Sequence, residues 1–209
     1  MKRSLLVLGR GGHGRVVADA ALEYGYDDVA FLDDADPARH PPGARVLGPF
    51  AAMADFMADW PAAIAAVGNG DLRLRLFQDL RKLGFETPNI VHPSAVVSRG
   101  ALLSKGIFVA AGAIINTDAR IGDAVIVNTG ARIDHDCEVG AGSHIAPGAT
   151  LSGSVVVGRR TWLGTGCSVR QGAKIGENVV VGVGTVVVSD LADGQTYVGV
   201  PARVLKTAR

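Results

Sequence analysis

The histidines His13, His40, His92, His135 and His144 are the first residues to weigh for chemistry. His135 stands between two acids, in Ile133-Asp134-His135-Asp136-Cys137. An imidazole accepts a proton near neutral pH, and an adjacent carboxylate raises its basicity and orients its ring. Asp134 and Asp136 are both placed to do this. His144 follows nine residues later. Short metal-ligand spacings such as H-x-x-x-H do not occur, so no metal is expected. Near the N-terminus, Gly9-Arg10-Gly11-Gly12-His13-Gly14 fits G-x-G-x-x-G, with Asp33 and Asp34 about 20 residues on. A glycine turn that opens a helix exposes backbone N–H groups to a phosphate or another polar ligand. Taken alone, that pattern allows a dinucleotide site and an NAD-dependent oxidoreductase. Asp33 and Asp34 either accept hydrogen bonds from a base or ribose, or cap a loop. His13 either contacts a ligand or holds the turn. His92, before Pro93, reads as structural, and His40 is assigned no role.

A hexad repeat positions the later histidines. Counting in sixes from Val91 to Val187, all seventeen positions are Val, Ile or Leu. A second series four residues after the first, from Ala95 to Thr185, is nearly all small. Period six matches neither a helix nor a simple strand. It matches a short strand, a corner, and a repeat, with three hexads closing a triangular coil of about 18 residues. The prediction is a parallel β-helix of about five coils, with aliphatics inside and small residues where corners crowd the axis. His135 takes the third place of its hexad, between the two inward positions, and is expected to face outward. His144 is half a coil away, so within one β-helix the two point to different sides. They share a site only if it lies between subunits. Cys137 and Cys167 both fall in the small inward series, 30 residues apart and on different faces, which disfavours a disulfide.

The first half reads as a βαβ unit. Strands are expected at 4–8, 29–32 and 62–67, with helices from Arg15 to about Tyr24 and from Asp71 to about Leu83. Asp36 to Gly48, with Pro37, Pro41, Pro42 and Gly43, reads as a loop. About 85 residues are too few for a complete dinucleotide fold, which favours a nucleotide-sugar site. The division is 1–88 for this Rossmann-like nucleotide-sugar domain and 89–209 for the β-helix with a short tail.

Composition excludes several classes. Apolar residues make up 48%, aromatics only 5%, and 28 of the 209 residues are Gly. That suits many tight turns and small inward side chains rather than a core of large rings. A net charge of +1 gives no sign of a nucleic-acid partner. The apolar run Ser4 to Leu8 is too short for a signal peptide or membrane span, so a cytoplasmic protein with no membrane partner is expected.

Gly11-Gly12-His13-Gly14, Phe31-Leu32-Asp33-Asp34, Val67-Gly68-Asn69, His92-Pro93-Ser94-Ala95, Ile133-Asp134-His135-Asp136-Cys137 and Val198-Gly199-Val200-Pro201-Ala202 occur in that order. Together they resemble the sugar acetyltransferases of the hexapeptide-repeat superfamily: the bacillosamine-pathway, perosamine and sialic acid enzymes. The resemblance implies a left-handed β-helix, a homotrimer with active sites between subunits, and acetyl-CoA as donor. It implies as acceptor the 4-amino group of a UDP- or GDP-linked 4-amino-6-deoxy sugar, with O-acetylation of the sialic acid type as the alternative. It maps a catalytic base onto His135 and a neighbouring acid onto Asp136. Acetyl-CoA contacts map onto His144, Thr165 and Val183, and sugar-nucleotide contacts onto Gly11, Gly12, His13, Asp33, Asp34 and Gly68. Arg159, Arg160 and Lys174 are placed either to meet the CoA phosphates or to sit on solvated turns.

Overall fold

A computed structural model describes residues 3–35 and 45–205. The first unit is a parallel sheet in the order β3-β2-β1-β4, from β1 (Ser4–Leu8), β2 (Asp28–Leu32), β3 (Val46–Gly48) and β4 (Ala62–Ala65). Two helices cover it, α1 (Gly12–Glu23) and α2 (Gly70–Leu83), with a 3-10 helix at Phe50–Phe56. β1 is apolar from Leu5 to Leu8, where both of its faces are covered. Leu5 and Val7 pack with Val17 and Ala21 of α1, while Leu6 and Leu8 pack with Leu74, Phe77 and Leu80 of α2.

Several boundaries differ from the sequence reading. α1 begins at Gly12 rather than Arg15, so His13 and Gly14 lie in its first turn and Gly11 is the N-cap. Glycine is a poor helix former, which hid the start. Gly14 is fixed by contact: a Cβ there would strike the carbonyl of Gly9. β4 ends at Ala65, and the chain then turns away to let Asn69 cap α2 through its side chain, which accepts from Leu72 N at 2.9 Å. Val46–Gly48 is an edge strand rather than loop, paired with β2 across a register shift. Residues 36–44, with Pro37, His40, Pro41, Pro42 and Gly43, lie outside the described residues.

From Ile90 to Val187 the chain winds as a left-handed parallel β-helix of seventeen two-residue strands, β5 (Ile90–Val91) to β21 (Val186–Val187). They stack as three faces, each strand pairing with the one 18 residues on. The first face carries β8 (Phe108–Val109), β11 (Ile126–Val127), β14 (His144–Ile145), β17 (Trp162–Leu163) and β20 (Val180–Val181), and ends with β22 (Thr196–Val198) and β23 (Arg203–Val204). Both inward series predicted from the hexad form one continuous core. Two small polar members are satisfied inside it: Ser143 Oγ donates to Gly158 O at 2.8 Å, and Thr161 Oγ1 to Gly176 O at 2.7 Å. Cys137 and Cys167 are free and buried, and burial pushes the Cys167 thiol up to about 12.

The corners follow a rule that the aliphatic count does not reveal. A residue with positive φ recurs every six positions from Gly106 to Gly184, three residues after each aliphatic. Asp136 is one of them, at φ 57. Asp tolerates this left-handed conformation better than most side chains.

The α/β unit sits on the first face. Ile90, Phe108 and Ile126 point outward there and are buried against α1, in one cluster with Val17 and Ala21. His144 and Trp162 continue the same outward column beyond that footprint, and both are half-buried.

Candidate active site

His135 lies at the corner between the second and third faces, after β12 (Arg132–Ile133) and before β13 (Glu138–Val139). Its side chain is 56% exposed, as the hexad position predicts. Of the two adjacent acids, Asp136 takes the ring: its Oδ2 lies 2.8 Å from His135 Nδ1. The left-handed backbone at Asp136 turns the carboxylate back onto the imidazole. Asp134 instead accepts from His135 N and from Asn116 Nδ2, both at 2.8 Å. An ionised carboxylate only accepts, so Nδ1 carries the hydrogen and Nε2 presents its lone pair. The bond to Asp136, with the nearby charge of Asp134, raises the His135 pKa above its ordinary value. The ring lies over the next coil at Gly153, where a Cβ would come within 2.6 Å of Nε2. Gly153 is therefore the residue that makes room for this imidazole, and its place 18 residues after His135 was the available signal.

His144 belongs to a different place. It sits on the first face, where the α/β unit ends, 6.2 Å ring to ring from His13 of α1. His13 also packs edge-on against Phe108 at 5.4 Å. Asn128 Oδ1 accepts from Thr129 N at 2.8 Å, so its Nδ2 is the group facing His144 Nε2 at 3.0 Å. Nε2 is then the acceptor, and Nδ1 carries the hydrogen. That Nδ1, like His13 Nε2, is buried with no partner among the described residues. Burial, reinforced by the charge of Arg73, lowers His13 to about 4 and His144 to about 3. Both are neutral at pH 7.

Arg73 was missed from sequence, although its spacing with Leu76, Phe77 and Leu80 puts it on the apolar stripe of α2. It is 1% exposed. It donates to Ala124 O and Val67 O at 2.8 Å, to Gly68 O at 3.0 Å, to Ser143 O at 3.3 Å and to Gly142 O. It thus ties the turn after β4 to two corners of the β-helix and sets His13 against His144. Arg160 supports the same seam from outside, pairing with Asp71 at 3.2 Å and Glu177 at 3.3 Å.

The remaining sequence-chosen residues fall into two groups. Gly11 and Gly12 open α1 with no atom of the described residues within 4 Å of where a Cβ would stand. Gly68 offers its carbonyl to Arg73. Asp33 Oδ1 accepts from Ala35 N at 2.7 Å and its Oδ2 from Arg10 N, while Asp34 Oδ1 accepts from Phe50 N at 2.8 Å. Both acids therefore cap backbone, while also lining a cleft of about 360 Å³ with Val46, Gly48 and Pro49. Thr165 and Val183 are stacked on adjacent coils at the corner between the first and second faces, where Gly184 N donates to Thr165 O at 2.9 Å. Val183 is 71% exposed. His92 is a local cap, its Nδ1 taking Ser94 N at 3.1 Å. Among the described residues no group of three or more His, Cys, Asp or Glu could hold a metal ion, and no helix is long and apolar enough to cross a membrane.

Residues 4–80 match the PglD N-terminal domain, and residues 118–153 match the bacterial transferase hexapeptide, six repeats. The acetyltransferase domain of PglB from Neisseria gonorrhoeae, solved with acetyl coenzyme A, is 39% identical at a TM-score of 0.93, over 98% of this chain and 100% of that one. PerB from Caulobacter crescentus, solved with CoA and GDP-perosamine, is 41% identical at 0.92, over 97% of each chain. WeeI from Acinetobacter baumannii shares the fold at 24% identity and 0.81, over 97% of this chain and 100% of that one. A Rossmann-like unit set on a hexapeptide β-helix defines an acetyltransferase rather than an oxidoreductase. The chain belongs to the sugar acetyltransferase family of PglB and perosamine N-acetyltransferase.

Proposed function

We propose that the protein transfers an acetyl group from acetyl-CoA to the 4-amino group of a UDP- or GDP-linked 4-amino-6-deoxy sugar. The observation that carries this reading is the His135–Asp136 pair, with Nε2 unencumbered above Gly153. Its relatives were solved with acetyl coenzyme A and with GDP-perosamine, an amino-sugar nucleotide. The amine nitrogen attacks the thioester carbonyl carbon, the C–N bond forms and the C–S bond breaks. His135 Nε2 takes the proton from nitrogen and returns it to the departing thiolate, while Asp136 holds the ring and stabilises the imidazolium. His144, with an unpartnered Nδ1–H, serves as a donor toward the thioester or pantetheine, and Thr165 and Val183 continue that path up the corner. Gly11, Gly12, His13, Asp33, Asp34 and Gly68 take the sugar nucleotide.

His135 and His144 lie on different sides of one β-helix. A site using both is built between copies, which favours a homotrimer. Thiol release with UDP- and GDP-linked 4-amino sugars tests the activity; turnover on none, in protein that binds acetyl-CoA, overturns it. Coexpressing His135→Ala with His144→Ala tests the assembly. Mixed oligomers regain activity if each site draws one histidine from each of two subunits, and stay inactive if every site is internal to one chain.

A further inference from the structure

We propose that Arg10 anchors the diphosphate of the nucleotide sugar, a role that rests on the nucleotide-sugar reading above. Arg10 lies between the end of β1 and the N-cap of α1, at the carboxyl edge of the sheet. There β1 has β2 on one side and β4 on the other, the point where ligands enter open α/β sheets. It is only 8% exposed, with its guanidinium 5.3 Å above the Phe31 ring centroid. Its Nε and Nη1 are buried and have no hydrogen-bond partner among the described residues. A guanidinium stays charged, so burying one with idle donors is unfavourable unless a partner arrives.

Arg73 shows how this chain treats a buried guanidinium that is purely structural: it donates to five carbonyls. Arg10 has nothing comparable. The nearest acid is already engaged, since Asp33 binds the backbone N–H of Arg10 and of Ala35, and among the described residues no carboxylate pairs with the Arg10 side chain. A second observation points to the same place. α1 has twelve residues, no side-chain cap and no acid in its first turn, and a Cβ at Gly11 or Gly12 would meet open space among the described residues. A buried cation thus immediately precedes the N-cap of an uncapped helix, and both favour an anion. A neutral base or ribose would leave the charge uncompensated. A diphosphate supplies the opposite charge that both favour.

Calorimetric titration of wild type, Arg10→Met and Arg10→Lys with UDP, GDP, uridine and guanosine tests this. Arg10→Met is expected to bind the preferred diphosphate about 10- to 100-fold more weakly. Lys, a point charge without the fork, falls between. Nucleoside binding stays within about twofold, and the KM for nucleotide sugar rises while that for acetyl-CoA holds. The ligand-free Arg10→Met protein melts no lower than wild type, because an unpaired buried charge has been removed. Unchanged diphosphate affinity overturns the assignment. So does an equal loss for nucleoside and diphosphate, which makes Arg10 a reader of the base, or a melting point several degrees lower, which makes it structural. If wild type takes up neither UDP nor GDP, the nucleotide-sugar reading itself falls, and this inference with it.

Discussion

The corner at His135 and the seam at His13 and His144 put one kind of side chain into opposite surroundings. At the corner the imidazole is solvated, held by a carboxylate, and more basic than usual. At the seam two half-buried imidazoles lie near a guanidinium, and both are held neutral. The first arrangement suits a group that takes a proton. The second suits groups that offer a fixed donor or lone pair to a ligand. The repeat separates His135 from His144, because a corner residue faces solvent while an outward strand residue of the first face meets the α/β unit.

The largest expected effect tests the corner. His135→Ala lowers kcat/KM by about 100- to 10,000-fold, the usual contribution of a positioned base. The melting temperature holds within error, because an exposed side chain is lost. A loss of less than tenfold removes His135 as the base. The seam is expected to respond the other way. Arg73→Met deprives five carbonyls of their donor and costs about 3 kcal/mol or more in denaturant unfolding. Unchanged stability shows that Arg73 does not tie the two units together.

The two regions were also unequally legible in sequence. The aliphatic series located the β-helix core, the outward face of His135 and its separation from His144, because a period of six leaves one solution for which side chains point in. The choice between Asp134 and Asp136 was not legible. It depends on φ at Asp136, a property of the corner and not of the spacing. At the seam, the meeting of His13 with His144 joins residues 131 positions apart across two units, and no local pattern encodes how those units dock. Arg73 was hidden for a related reason: a charged residue on an apolar stripe reads as an error in the stripe until its carbonyl partners are known.

Smaller effects follow from charge. His13 and His144 have folded-state pKa values depressed to about 4 and about 3, below the unfolded value near 6.5. The unfolded chain therefore binds more protons between those limits. Stability is fully present above about pH 6.5 and declines as pH falls toward 4, by up to about 1.4 kcal/mol per pH unit for each histidine. Chemical denaturation at pH 7.0 and 4.5 measures this. His13→Gln should lose less stability than wild type across that interval. An equal loss shows that His13 does not resist protonation.

The smallest change tests what makes the corner different. Asp136→Asn keeps the size of the side chain but removes the charge that raises His135. A base acts when deprotonated, so the acid limb of kcat/KM in wild type lies above the ordinary histidine value. In the variant it moves to lower pH. The plateau rate falls about tenfold, because a less basic imidazole accepts the proton less readily and its imidazolium loses a counter-charge. A pH–rate profile separates this from simple misplacement of the ring: misplacement lowers the plateau and leaves the limb where it was. If the limb does not move, Asp136 positions His135 without tuning it, and the corner owes its basicity to Asp134, the second charge facing the ring. Asp134→Asn would then move the limb in its place.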